Sequence, residues 1–166
     1  METSTHHKNR ARFLWVGLAA LSLGMIGLSL PAWAALGGNA SSVQTDQTHM
    51  KATAQIKMAP GGAYSVHELQ SPFKTMVREY VSSDGRVFGV AWKGPFIPDM
   101  RQILGTYFQQ YSTAASQARS KHAGHRPLNI QQPGLVVQTS GHMRAYWGRA
   151  YAPDLVPQGV NPEEIR

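Results

Sequence analysis

The sequence predicts an α+β domain: an antiparallel β-sheet of about five to seven strands with one long amphipathic helix packed on a face. Three observations carry this expectation. Residues 63–70, 75–82 and 87–93 are short β-rich segments joined by turn residues, the pattern of a β-meander. After Pro98, Met100, Ile103, Leu104, Tyr107, Phe108 and Tyr111 recur at helical spacing, an apolar stripe best read as core. A second group of short β-rich segments follows at residues 128–131, 135–139 and 142–151.

The elements can be justified in order. His6-His7-Lys8-Asn9-Arg10-Ala11-Arg12 is a basic start, Phe13 to Leu30 an uncharged apolar run, and Pro31 a helix breaker before Ala32-Trp33-Ala34. That is the order of a secretory signal peptide, cut between Ala34 and Ala35. An uncleaved anchor is the alternative, because a run of about 18 residues just crosses a bilayer. Gly17, Ser22, Gly24, Gly27 and Ser29 dilute that run and favour cleavage. The expected organisation is a cleavable leader over residues 1–34 and a single domain over 35–166, with a flexible start and an irregular tail.

Ser41 or Ser42 caps a short helix through about Met50, and residues 51–58 continue as a strand. Pro60-Gly61-Gly62 then punctuates the chain before the meander. Ser71-Pro72-Phe73 makes its first turn, and Ser83-Asp84-Gly85-Arg86, with its Asp-Gly pair, makes the second. Asp99 caps the long helix, and residues 119–126 read as a polar basic loop. Ser140-Gly141 is the expected turn before the strand at 142–151. Asn161-Pro162-Glu163-Glu164 carries cap, proline and early acids in order, which predicts a final helical turn.

Composition narrows the chemistry. The 166 residues carry 16 basic and 9 acidic side chains. Lys8, Arg10, Arg12 and Glu2 leave with the leader, so the mature chain keeps 13 basic and 8 acidic groups, a charge of +5. That charge favours anionic neighbours in general. There is no cysteine, which excludes disulfides, thiol catalysis, Cys-based zinc sites, Fe–S clusters, c-type haem and lipoprotein anchoring. Signatures of serine hydrolases, P-loop enzymes, dinucleotide binders and zinc proteases are missing from the sequence.

Three constellations remain. The segment Gly141 to Arg149 concentrates Arg and aromatic side chains; on a strand, His142, Arg144 and Tyr146 share one face and Met143, Trp147 and Arg149 the other. His49, His122, His125 and His142, with neighbouring methionines, are candidate copper or zinc ligands. Glu68 and Glu79 sit on neighbouring strands and are a candidate hydrolytic pair, unless Arg78 or Lys74 neutralises one of them.

A run of landmarks resembles one family. They include Tyr64-x-Val66-His67-Glu68, Val77-Arg78-Glu79-Tyr80-Val81, Asp84-Gly85-x-Val87-Phe88, Val90-Ala91-Trp92-x-Gly94-Pro95-Phe96, Pro98-Asp99-x-Arg101-Gln102 and Gly141-His142-Met143-Arg144-Ala145. The resemblance is to a domain-of-unknown-function family of short exported proteins of Gram-negative proteobacteria, and it spans nearly all of residues 35–166. It implies a single exported domain and no assigned chemistry.

The expectation is a periplasmic or secreted, non-enzymatic binding or accessory module for an envelope protein or an anionic envelope component. Its candidate binding residues are His142, Arg144, Tyr146, Arg78 and Glu79. The expected partners include the export machinery and signal peptidase through residues 1–34, with no nucleic acid, no cofactor, and membrane only through an uncleaved leader. Metal handling by the histidines is the alternative reading, and a small hydrolase using Glu68 and Glu79 a further one.

Overall fold

The computed structural model describes residues 36–121 and 127–166. The leader, the cut between Ala34 and Ala35, and the candidate ligands His122 and His125 lie outside the described residues.

One antiparallel sheet of seven strands organises the chain. The strands are β1 (Thr53–Met58), β2 (Tyr64–Gln70), β3 (Met76–Ser82), β4 (Val87–Gly94), β5 (Leu128–Gln132), β6 (Leu135–His142) and β7 (Ala145–Tyr151). Their spatial order is β1-β2-β3-β4-β7-β6-β5. The predicted meander therefore supplies one half, the later strands the other, and the β4–β7 pairing joins them.

Helices cover one face. Helix α1 (Ala40–Met50) is capped by Asn39, whose side chain accepts from the Ser42 amide, rather than by Ser41 or Ser42. Asn39 takes the role because Gly37 and Gly38 already pair with Val87, which leaves Asn39 in extended backbone just before the first helical turn. The predicted long helix runs from Met100 to Lys121. It comprises α2 (Met100–Leu104), a 3-10 turn at Gly105–Tyr107, and α3 (Phe108–Lys121). Gly105 has φ 50°, which tightens the run without ending it. Asp99 caps it as predicted, accepting from the Arg101 and Gln102 amides. Ile103 and Leu104 are fully buried, and Met100, Tyr107, Phe108 and Tyr111 pack half-buried against the same core. Val77, Val81, Val90, Trp92, Val137 and Ala150 meet them from the sheet.

The irregular tail covers the other face. Tyr64, Tyr80, Phe88, Ala91 and Ile165 form a second, smaller core there. Gly89 lies beneath it, where an added Cβ would come 2.8 Å from Ile165 Cδ1 and push that side chain aside. The sheet is thus the middle layer, with helices on one side and the C-terminal strap on the other.

The last hairpin corrects the sequence reading. Ser140 and Gly141 are not its turn; β6 runs through them to His142, and Met143-Arg144 makes the turn with φ 45° and 68°. Gly141 serves the close approach of two strands, because a Cβ there would come within 2.2 Å of the Ala145 carbonyl oxygen. Glycine after serine signals chain reversal in the sequence, whereas in the structure it answers a steric demand within the ladder.

Candidate functional site

Alternation along the strands sorts the polar residues between the two faces. Ser65, His67 and Leu69 of β2 and Val77, Glu79 and Val81 of β3 point to the helices, with His67 opposite Glu79. Val66, Glu68 and Gln70, with Met76, Arg78 and Tyr80, point to the strap side. Glu68 and Glu79 therefore lie on opposite faces and form no catalytic pair. The reason is register: Glu68 is opposite Arg78, and Glu79 is the next residue along.

The strap is fastened by its last residues. The Tyr64 phenol donates to Glu164 Oε2 at 2.6 Å; that bond, then burial and the Glu164 charge, push its pKa up to about 12. The Tyr80 hydroxyl accepts from the Arg166 amide at 3.0 Å and donates to the Arg166 main-chain oxygen at 2.9 Å. Arg149 donates to Pro162 O and to Glu163, and it is also bonded to Gln138.

Where the strap stops, the sheet face is open. A cleft of about 380 Å³ is lined by Lys74, Met76, Arg78, Ala91, Lys93 and Arg166, among others. No acidic side chain lines it. Glu68, the acid on that side of β2, is engaged by Lys57 Nζ at 2.5 Å and by Arg78 Nε at 2.8 Å. The Lys57 bond, helped by Arg78 against the cost of burial, holds the Glu68 carboxyl below its usual range. Arg78 also donates to the Arg166 main-chain oxygen at 2.7 Å, so its guanidinium is fixed in place. Lys74 and Lys93 are exposed and make no ion pair among the described residues.

One rim of the cleft is built from loops at one end of the sheet. Gly94 lets β4 pass the Thr75 backbone, where a Cβ would meet Thr75 Cα at 2.5 Å. Thr75 Oγ1 then donates to the Phe96 carbonyl at 3.0 Å, tying the β2–β3 turn to the loop after β4. This brings Phe73 and Phe96 into an edge-to-face contact with centroids 6.1 Å apart, yet both remain exposed.

The predicted hairpin residues divide between positions. His142 ends β6 and Arg144 sits in the turn, both exposed, while Tyr146 is half-buried opposite Gly94 and Gly141. Because the turn falls at Met143-Arg144, these residues do not share a strand face as expected. Tyr146 points to the helix side. Trp147 and Arg149 do share the strap side, and Trp147 stands directly across from Lys93. Of the five candidate binding residues, Arg78 lines the cleft and Glu79 lies on the far face. His49 is in the last turn of α1, on the helix side. Among the described residues, no three metal-type side chains converge.

A second polar feature lies beneath α1. Asp46 and Glu79 are both fully buried and face each other across the α1–sheet contact. Gln102 Nε2 donates to Asp46 Oδ1 at 2.8 Å, while Asp46 Oδ2 and both Glu79 oxygens have no donor. One proton shared between the two carboxyls would give one of these oxygens a donor. Burial raises Asp46 from 3.8 to about 6, offset in part by Gln102, Glu79 and His49. Burial and the Asp46 charge together push Glu79 well above the ordinary carboxyl value.

Sequence reasoning missed this pair and most of the cleft. Asp46 follows Val43 by three residues and precedes Met50 by four, which places it in the apolar stripe of α1. Glu79 interrupts the buried alternation Val77, Glu79, Val81. An acid inside an apolar pattern was the available signal. Lys74, Lys93 and Arg166 carried none, since register and the strap bring them together.

The fold and cleft define a class: a small α+β domain with a basic, open cleft on one sheet face beside an aromatic loop end. Residues 32–165 match the family described as "Protein of unknown function (DUF2844)", and the chain belongs to that family. No curated protein and no solved structure shows significant similarity to it.

Proposed function

We propose that the domain is a non-enzymatic binding module of the cell envelope that takes an anionic group into the cleft beside Arg78. One observation carries this reading: the side chains of Lys74, Arg78, Lys93 and Arg166 surround an opening lined by no acidic side chain. Arg78 is pre-positioned by Glu68 and the strap, and the two lysines are left for a ligand. Residues 1–34, with the order of a secretory leader, support a site of action outside the cytoplasm.

The test is calorimetric titration of the chain from Ala35 onward with inorganic pyrophosphate and with polygalacturonate. Every described core contact lies within that chain. Binding to either anion is expected, weakened by added salt. The double substitution Lys74→Glu and Lys93→Glu should reduce it about tenfold or more, because both side chains are exposed and each contributes on the order of 1 kcal/mol toward an anionic surface. Absence of binding, or binding indifferent to the double substitution, refutes the reading.

A further inference from the structure

The strands place three connections at the same end of the sheet. The β2–β3 turn, the loop after β4 and the β6–β7 turn adjoin there, since Gln70 pairs with Met76, Met76 with Lys93, Gly94 with Tyr146, and His142 with Ala145. Seven large apolar side chains are exposed among the described residues, and five belong to this end. They are Phe73, Phe96, Ile97, Met143 and Trp147; the other two, Ile56 and Met58, are on the edge strand β1. Five of seven at one end is a gathered patch rather than a scatter of single residues.

Its charge is one-sided. Ser71 to Thr75, Pro95 to Pro98 and Met143-Arg144 contain no acidic residue, while Lys74, Lys93 and Arg144 are exposed among the apolar tips. Asp99, just past the second loop, is engaged in capping α2. Lys74 and Arg144 both adopt positive φ, 62° and 68°, at the crests of their turns. The apolar tips sit on loops held by the ladder and by the Thr75–Phe96 hydrogen bonds, and even the paired Phe73 and Phe96 rings stay exposed.

We infer that this end of the sheet docks on a membrane surface, the tips of Phe73, Phe96, Ile97 and Met143 entering the interfacial layer while Lys74, Lys93 and Arg144 meet anionic headgroups. The inference rests on the reading of the cleft as an anion site and assigns that anion to a lipid phosphate. Aromatic side chains ringed by cations suit the boundary between headgroups and acyl chains, where apolar area and charge both contribute to binding. The neighbouring cleft would then receive the headgroup phosphate between Lys93 and Arg78. No helix among the described residues is long and apolar enough to cross a bilayer. Docking at this end would give the domain a membrane contact of its own, beyond the one expected of the leader.

The chain beginning at Ala35 carries its own reporter, since Trp92 is buried and Trp147 is half exposed. Vesicles of phosphatidylethanolamine with phosphatidylglycerol should shift Trp147 emission to the blue and co-sediment the protein; phosphatidylcholine vesicles should do neither. Phe73→Ser with Phe96→Ser should lower partition about tenfold or more and lower pyrophosphate binding far less, since neither side chain lines the cleft. Lys74→Glu with Lys93→Glu should lower both, and circular-dichroism melting checks that each variant folds. Pyrophosphate binding with no vesicle binding would overturn the membrane assignment and leave the anion site standing. Vesicle binding that persists in the Phe double variant would overturn the docking end. Capture of a protein partner whose binding needs Phe73 and Phe96, with vesicles ignored, would also overturn it. Loss of binding to every probe would remove both readings.

Discussion

The Asp46–Glu79 pair should make stability fall as pH rises above about 4. Both carboxyls are harder to ionise in the native state than in the unfolded chain. Their stabilising contribution is therefore complete below the unfolded values, near pH 4, and is lost as pH climbs through the folded ones. A native state holding one extra proton loses about 1.4 kcal/mol per pH unit. The Asp46 shift, from 3.8 to about 6, amounts to roughly 3 kcal/mol over that span, and Glu79 adds in the same direction. His67, across from Glu79, opposes them: burial lowers its pKa, so its contribution is present above the unfolded value of 6.5 and lost below it. Glu68, lowered by its bond to Lys57, contributes above the unfolded value of 4.5, so its change falls mostly below the range of interest.

Substituting Glu79→Gln separates these effects. The amide still offers a donor to Asp46 Oδ2 and has no proton to lose, while His67 and Glu68 are common to both proteins. The assay is urea unfolding of wild type and variant at half-unit steps between about pH 5 and 7. The variant should gain on wild type with rising pH by about 1.4 kcal/mol per unit while Glu79 alone retains its proton. A stability difference that does not change with pH across that range refutes the shared-proton arrangement. A variant uniformly less stable by a constant amount would mean that Glu79 is held ionised by a partner.

The other expectations concern the architecture that builds the cleft. Gly94→Ala forces a Cβ against the Thr75 backbone and should cost about 1–3 kcal/mol in urea unfolding, with loss of anion binding because the rim shifts. Ile165→Ala empties the centre of the strap-side core and should cost about 2–5 kcal/mol. The same substitution should loosen Arg166 from Tyr80, visible as faster exchange of the Arg166 amide.

How much of this was legible follows from which forces are local. The meander, the Asp99 cap and the helix stripe all express preferences over a few residues, and the structure realises them nearly at the predicted bounds. The hairpin turn was displaced because Gly141 has two physical uses and the chain alone does not say which applies. The Arg-rich hairpin face was mis-drawn for the same reason: moving the turn to Met143-Arg144 put His142 and Tyr146 on opposite sides of the sheet.

The candidate site is non-local from end to end. Lys74, Arg78, Lys93 and Arg166 span most of the described chain, and only strand register and the folded-back strap set them around one opening. Asp46 and Glu79 are separated by strands β1 and β2 and the 3-10 turn between them before α1 closes over β3. The sequence by itself determined the fold class, the order of elements and which stripes are apolar, because those depend on short-range periodicity and backbone preference. Tertiary structure decided which face each charge occupies, since a one-residue change of register moves every side chain of a strand to the other side. It also decided that two carboxyls share a dry space, while four cations share a wet one.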